Sequence, residues 1–195
     1  MNRIKDYLEL KLNIVEWISE YAKKYKIKSL VVGVSGGIDS AVVSTLCAET
    51  GISTFVMSMP LLSNKDNDDL SNVHCDYLTK KYSNVEKVRV DLSNTYTALM
   101  QSIEEQTNGT FLDSGLANAN TKSRLRMVTL YQIAGSCGGI VVGTGNKVED
   151  YGIGFYTKYG DGGVDIAPIA DLYKTEVWEL GKHLGVDQRI IDAPP

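Results

Sequence analysis

Residues 30–46 read LVVGVSGGIDSAVVSTL, an apolar run that passes through Ser-Gly-Gly-Ile-Asp-Ser into a second apolar run. This junction constrains the fold more than any other part of the chain. A continuous apolar stretch over 30–34 fits a strand buried on both faces. Residues 38–49 have a helical pattern, and Gly51 is placed to end it. Between them, Gly36 and Gly37 can take backbone angles closed to other residues and present no Cβ to a ligand. They precede a helix whose first N–H groups lack internal partners, so donors and the positive end of the dipole face one spot. That is a nest for an oxyanion or a phosphate, to which the Ser35 and Ser40 hydroxyls can add. The plainer alternative is a tight strand-to-helix turn in which Asp39 only satisfies the first helical turn.

The rest of the chain repeats the alternation. Apolar residues at near-helical spacing predict a first helix over 3–25. A second strand over 52–59 is stopped by Pro60. The stretch SNKDNDDLSNVHCDYLTKKY carries acids early and lysines late, which suits a helix dipole. Further strands are expected at 85–91 and 139–142, with helices at 116–137 and 171–184, the last capped by Gly185. Such alternation implies an α/β fold, a parallel sheet with helices on both faces. Ligands bind beyond the carboxyl ends of such strands, so the loops 35–40, 60–66 and 143–165 are expected to converge.

Asp39 is the informative residue of the first loop. Walker A loops place Gly-Lys-Ser/Thr where this chain has Ile-Asp-Ser, and GTGNKV at 143–148 lacks the third glycine of a dinucleotide fingerprint. A bare carboxylate beside phosphate oxygens is repelled. A bridging Mg²⁺ reverses the sign, because hard cations take carboxylate and phosphate oxygens together. The loop therefore reads as a polyphosphate site managed by metal. It asks for a second acid from another loop and a lysine from elsewhere.

A net charge of −4 argues against a broad nucleic-acid surface. No apolar run approaches the ~20 residues of a membrane helix, and charges interrupt the N-terminal segment where a signal peptide would be apolar. Cys47, Cys75 and Cys137 have neither metal spacing nor a disulfide framework, which predicts the reducing cytoplasm. His74 and His183 have no nucleophile or metal arrangement around them.

SGGxDS is also the signature of the N-type ATP pyrophosphatases. The stretch 141–185 resembles the ammonia-dependent NAD⁺ synthetase family. GTGNKxED, FYTKYGDGG and D-I-x-P-I-x-D-L-x-K-T-E stand in the family's order and spacing, as does KSRLRM at 122–127. The resemblance implies a three-layer α/β/α fold with a mostly parallel, Rossmann-like sheet, similar to the adenine nucleotide alpha hydrolases. It implies amidation of nicotinate adenine dinucleotide (deamido-NAD⁺) by ammonia. The carboxylate attacks the α-phosphorus of ATP, pyrophosphate leaves, and ammonia displaces AMP from the acyl adenylate. By motif position, Gly33, Ser35, Gly36, Gly37, Asp39, Ser40, Thr144 and Lys174 would hold ATP, and Asp39 and Glu149 would hold Mg²⁺. Arg124, Lys158 and Asp165 would contact deamido-NAD⁺, and Asp161 would stand near ammonia. Asp39, Lys174 and Asp161 are the catalytic candidates. A homodimer is also implied.

Plainer readings exist for several of these. Glu149 and Asp150 could cap a helix, Lys174 could pair with Asp171 or Glu176, and GDGG could be a simple turn. Arg124 and Arg126 share a helix, and one of them is read as solvated. Tyr151, Phe155, Tyr156 and Tyr159 read mostly as packing, with the lining of a nicotinate pocket as the alternative, and Tyr131 as a stacking candidate. Two departures stand out. The family's Arg-Leu-Pro after the second strand is Ser58-Met59-Pro60 here, so contacts on the adenine side are expected to differ. The resemblance also implies one domain over 1–195 that stops short of the family's C-terminal segment. The rival readings are another SGGxDS enzyme, such as a GMP synthetase-like amidation or a tRNA-thiolating enzyme, and a nucleotide-binding module without turnover.

Overall fold

The computed structural model describes residues 3–62, 65–112 and 114–193. Four strands form one parallel sheet: β1 (Ser29–Gly33), β2 (Ser53–Ser58), β3 (Val85–Arg89) and β4 (Gly139–Val141), in the order β3-β2-β1-β4. Register runs Val31 to Phe55 between β1 and β2, and Val31 to Val141 between β1 and β4. A parallel bridge from Val142 to Ile166 extends the outer edge of β4.

Alternation along the strands divides the core in two. Leu30, Val32, Val56 and Ile140 face one apolar cluster, while Val31, Met57 and Val141 face the other. The first cluster is closed by α1 (Tyr7–Tyr25), α2 (Ile38–Glu49), α3 (Lys65–Lys81), α6 (Lys174–Leu184) and α7 (Gln188–Ile191). The second is closed by α4 (Ser93–Thr107) and α5 (Gly115–Cys137), through Tyr96, Leu130 and Ala134. Three layers result, as the alternation of the sequence requires.

Local chemistry moves several boundaries. Asp6 accepts from the Leu8 and Glu9 amides at 2.8 and 3.1 Å, so α1 starts at Tyr7 and not at residue 3. The last long helix starts at Lys174 instead of 171. A turn closed by Leu172 N–H to Ile169 O precedes it, and Glu176 caps the Tyr173 amide at 2.8 Å. Gly185 ends that helix with φ 73°. The acids and lysines of 65–81 form α3 as expected; residues 63 and 64 lie outside the described residues. α4 is not among the expected helices, although Tyr96, Met100 and Ile103 stand at helical spacing; Tyr96 is its one buried residue, and Met100 packs half-buried against the second cluster.

Among the described residues no helix is long and apolar enough to cross a membrane. Cys47 and Cys75 are buried free thiols, each pushed up to about 12, mainly by desolvation. His74, only 1% exposed, lies 3.0 Å from the Ser44 hydroxyl, whose proton goes to the Ser40 carbonyl. Desolvation pushes its pKa down to about 4. The unfolded chain then binds the extra proton between pH 6.5 and 4, so stability rises with pH across that window. Acidification through the window is expected to remove about 3 kcal/mol. Thermal melts between pH 7 and 4.5 check this: the melting temperature of His74→Gln should fall less steeply than that of the unsubstituted protein, and parallel slopes would contradict it.

Candidate active site

The Ser-Gly-Gly loop leaves β1 at the carboxyl edge of the sheet. Gly36 has φ 92°, a left-handed conformation that glycine adopts without strain. Gly37 is the N-cap of α2 in extended geometry and brings no side-chain cap, so the first amides of α2 are left for another acceptor. Ser40 Oγ donates to Gly37 O at 2.9 Å and accepts from the Ser35 amide at 3.1 Å, and Ser35 Oγ accepts from the Gly37 amide at 3.2 Å. The two hydroxyls thus brace the loop from within. α2 itself is almost wholly buried, which holds the loop rigidly against the sheet.

Asp39, in the first turn of α2, meets two groups from the far half of the chain. Lys174, the first residue of α6, donates from one Nζ to Asp39 Oδ2 and, at 3.0 Å, to Glu149 Oε1. Asn146 donates from Nδ2 to Asp39 Oδ1 at 3.0 Å. Desolvation opposes the charge on Lys174, but its bonds to Asp39 and then Glu149 outweigh that and hold its pKa above the ordinary lysine value. The plainer pairings are not formed: Asp171 pairs with Lys147 at 3.4 Å and Glu176 with Arg3 at 2.7 Å.

Glu149 rides on a π-helix, Lys147–Ile153. Its cap is Asn146, whose Oδ1 accepts from the Val148 and Glu149 amides at 3.0 and 3.2 Å, so Glu149 and Asp150 are not a capping pair. The wide turn is closed by the Phe155 amide to Glu149 O at 2.8 Å, with Gly154 left-handed at φ 73°. The Asp150 carboxylate packs so closely on Gly145 that a Cβ there would displace it. Desolvation raises its pKa, and the charges of Asp161, Glu149 and Asp39 add to the rise.

Beside this cluster lies a cleft of about 350 Å³ at the ends of β1, β2 and β4, walled by α5. Ser35, Pro60, Thr144 and Asp161 line it beside Gly33 and Met59, so all three expected loops converge. Arg126 lines it too and donates from Nε to Met59 O at 3.1 Å; burial lowers its pKa. Of the two helical arginines it is therefore Arg124 that is exposed, although its Nε reaches Lys158 O at 3.1 Å. Ser123, Arg126, Met127 and Leu130 all face the cleft at i, i+3, i+4, i+7, a spacing from which Arg126 could have been found.

The remaining candidates are spread out. Asp161 Oδ1 accepts from Ser123 Oγ at 2.7 Å and from the Thr157 amide at 3.0 Å, so this carboxylate shapes the GDGG turn while lining the cleft. Asp165 accepts from the Val141 amide at 2.8 Å and from Tyr131 OH at 3.1 Å. Desolvation, then Asp165, push the Tyr131 phenol up to about 12. Lys158 is exposed, its Nζ 5.0 Å from the Tyr159 ring centroid. The expectation that Tyr151, Phe155, Tyr156 and Tyr159 are packing is overturned: they are 72, 79, 50 and 65% exposed. Tyr151 stands on the π-helix and the other three follow it. His183 stacks on Tyr7 at 5.1 Å, away from the cleft residues.

Similarity to known proteins bears on this arrangement. The family model described as NAD synthase matches residues 10–195. An NH₃-dependent NAD⁺ synthetase of Carboxydothermus hydrogenoformans is 40% identical over 183 residues, covering 93% of this chain and 72% of that protein. Among solved structures, an NMN synthetase from Francisella tularensis superposes with a TM-score of 0.88 at 34% identity, covering 98% of this chain and 76% of that one. An NH₃-dependent NAD synthetase from Campylobacter jejuni, in complex with nitrate, gives 0.82 at 30% identity, covering 96% and 77%. The SGGIDS loop, the convergence of Asp39, Glu149 and Lys174, and these likenesses lead to one conclusion: the chain belongs to the NAD synthase family.

Proposed function

We infer that this chain amidates deamido-NAD⁺ with ammonia at the expense of ATP, releasing NAD⁺, AMP and pyrophosphate. The observation that carries the mechanism is the convergence of Asp39 Oδ2 and Glu149 Oε1 on a single cationic nitrogen beside the glycine loop. Two carboxylate oxygens within hydrogen-bonding distance of one point also suit a hard divalent cation. Among the described residues no cluster of three or more metal-ligating side chains exists, so a cation held by Asp39 and Glu149 would need further oxygens from phosphate or water. Mg²⁺ bound by Asp39 and Glu149 would supply charge neutralisation at the phosphates of ATP.

The protein's own groups do the rest. The open amides at the start of α2 take phosphate oxygens. Lys174, turning from the carboxylates, meets the charge that develops on the departing pyrophosphate. The cleft beyond Gly33 and Thr144 takes the adenosine, with Met59 and Arg126 as the wall on the side where the family's Arg-Leu-Pro is missing. Arg124, Lys158 and Asp165 belong to the deamido-NAD⁺ side. Aligning a carboxylate with the α-phosphorus supplies proximity that two anions lack in solution.

Incubation with ATP, Mg²⁺, deamido-NAD⁺ and ammonia should yield AMP and NAD⁺ in equal amounts. Nucleotide binding without AMP would support a module without turnover, and GMP from XMP a different amidation. Nicotinate mononucleotide belongs in the same assay, because the Francisella relative is an NMN synthetase. Preferential turnover of that smaller acid would shift the substrate while leaving the chemistry intact.

Asp161 acts in this reading as the acid that holds ammonium and accepts its proton. Asparagine keeps the Oδ1 acceptor on which the turn depends, so Asp161→Asn isolates the charge. Its kcat/KM for ammonia is expected to fall about tenfold or more with KM for ATP unchanged; an unchanged ammonia dependence would remove Asp161 from the role.

The chain acts as a homodimer in the cytoplasm. Exposed Tyr151, Ile153, Phe155 and Tyr159 form an apolar surface that a second copy would cover. Light scattering should give twice the monomer mass, and Phe155→Asp should shift it toward the monomer. A monomeric mass for the unsubstituted protein would contradict the dimer.

A further inference from the structure

We propose that Asn146 is a positioning residue: it fixes the Asp39 carboxylate relative to Glu149 and so sets the affinity of the cation position they share. The inference rests on reading that position as the Mg²⁺ site.

Asn146 is 0% exposed, and its side chain makes three hydrogen bonds. Nδ2 donates to Asp39 Oδ1 at 3.0 Å, and Oδ1 accepts from the Val148 and Glu149 amides at 3.0 and 3.2 Å. The amide can sit only this way round. Flipped, its oxygen would face a carboxylate oxygen and its NH₂ two N–H donors. One planar group, with few dihedrals to relax, therefore ties the side chain of residue 39 to the backbone of residue 149.

A tie is needed because the two carboxylates repel each other. Lys174 bridges them now, but a lysine that serves a phosphate cannot keep both bonds. Asn146 is neutral, so it orients Asp39 without cancelling charge that a divalent cation would use. Mg²⁺ demands near-ideal geometry at ~2.0–2.1 Å, and loss of an outer partner of a metal ligand typically costs about 10–100-fold in affinity. A helix cap alone would have no such effect.

The test separates the two roles. Serine and threonine are good N-caps, yet their hydroxyls stop short of Asp39. For Asn146→Ser and Asn146→Thr, Mn²⁺ binding in the presence of a non-hydrolysable ATP analogue is read from the electron paramagnetic resonance of free Mn²⁺. Analogue binding in EDTA and the melting temperature are measured alongside. The Mn²⁺ dissociation constant should rise about tenfold while analogue affinity in EDTA is unchanged. One folded variant is enough. Unchanged Mn²⁺ affinity, an equal loss of analogue affinity in EDTA, or unfolding of both variants would overturn the proposal. Failure of the unsubstituted protein to bind Mn²⁺ with the analogue would overturn the metal reading, and this inference with it.

Discussion

Asp39→Asn is expected to lower kcat by about a hundred- to a thousandfold, the scale at which removing one preorganised electrostatic group from a transition state registers. The substitution keeps the size of the side chain and its acceptor for Asn146. It removes one of the two negative charges that converge on Lys174. α2 is held by its buried apolar face, so the melting temperature should move little. If Asp39 served only to satisfy the first helical turn, asparagine would serve nearly as well and turnover would survive. Steady-state rates at saturating Mg²⁺, ATP and deamido-NAD⁺ decide between these.

Lys174→Met should lower kcat about a hundredfold or more, because the pyrophosphate then leaves without its lysine. It should also leave a distinct mark on stability. Two carboxylates, of Asp39 and Glu149, would face each other without the ammonium between them. Two unit charges about 4 Å apart interact by about 4 kcal/mol at an effective dielectric near 20. Glu149 is 37% exposed, so screening reduces this, and a loss of about 1–2 kcal/mol is expected. Adding Mg²⁺ with an ATP analogue should recover much of it, since a divalent cation relieves the same repulsion. A lysine on a solvated helix face would show neither effect.

The strand–loop–helix of 29–49 was legible because each part speaks in its own local code. A continuous apolar run marks a doubly buried strand, paired glycines mark the sharp turn, and the buried face of α2 marks the helix. Asp39 stood out because its charge contradicts a phosphate site unless something cationic stands nearby, and Lys174 and Glu149 do. What stayed hidden depends on contacts that no local pattern encodes. α4 anchors itself by the buried Tyr96 and the half-buried Met100, a narrow apolar stripe on a mostly polar helix. KVEDYGI falls in the expected loop 143–165 yet forms a π-helix; its wide turn comes from Asn146 at one end and left-handed Gly154 at the other. Nothing local singles out Asn146, because its partner Asp39 lies 107 positions away. Arg126 is the opposite case, since its spacing with Ser123, Met127 and Leu130 already pointed it toward the cleft.

The most direct measurement is the anomalous scattering of Mn²⁺ in crystals soaked with a non-hydrolysable ATP analogue. A peak is expected about 2.1–2.3 Å from carboxylate oxygens of both Asp39 and Glu149, with phosphates against the amides of residues 36–40 and Lys174 turned toward them. An analogue bound without a manganese peak there, with Lys174 still bridging the two carboxylates, would contradict the metal reading.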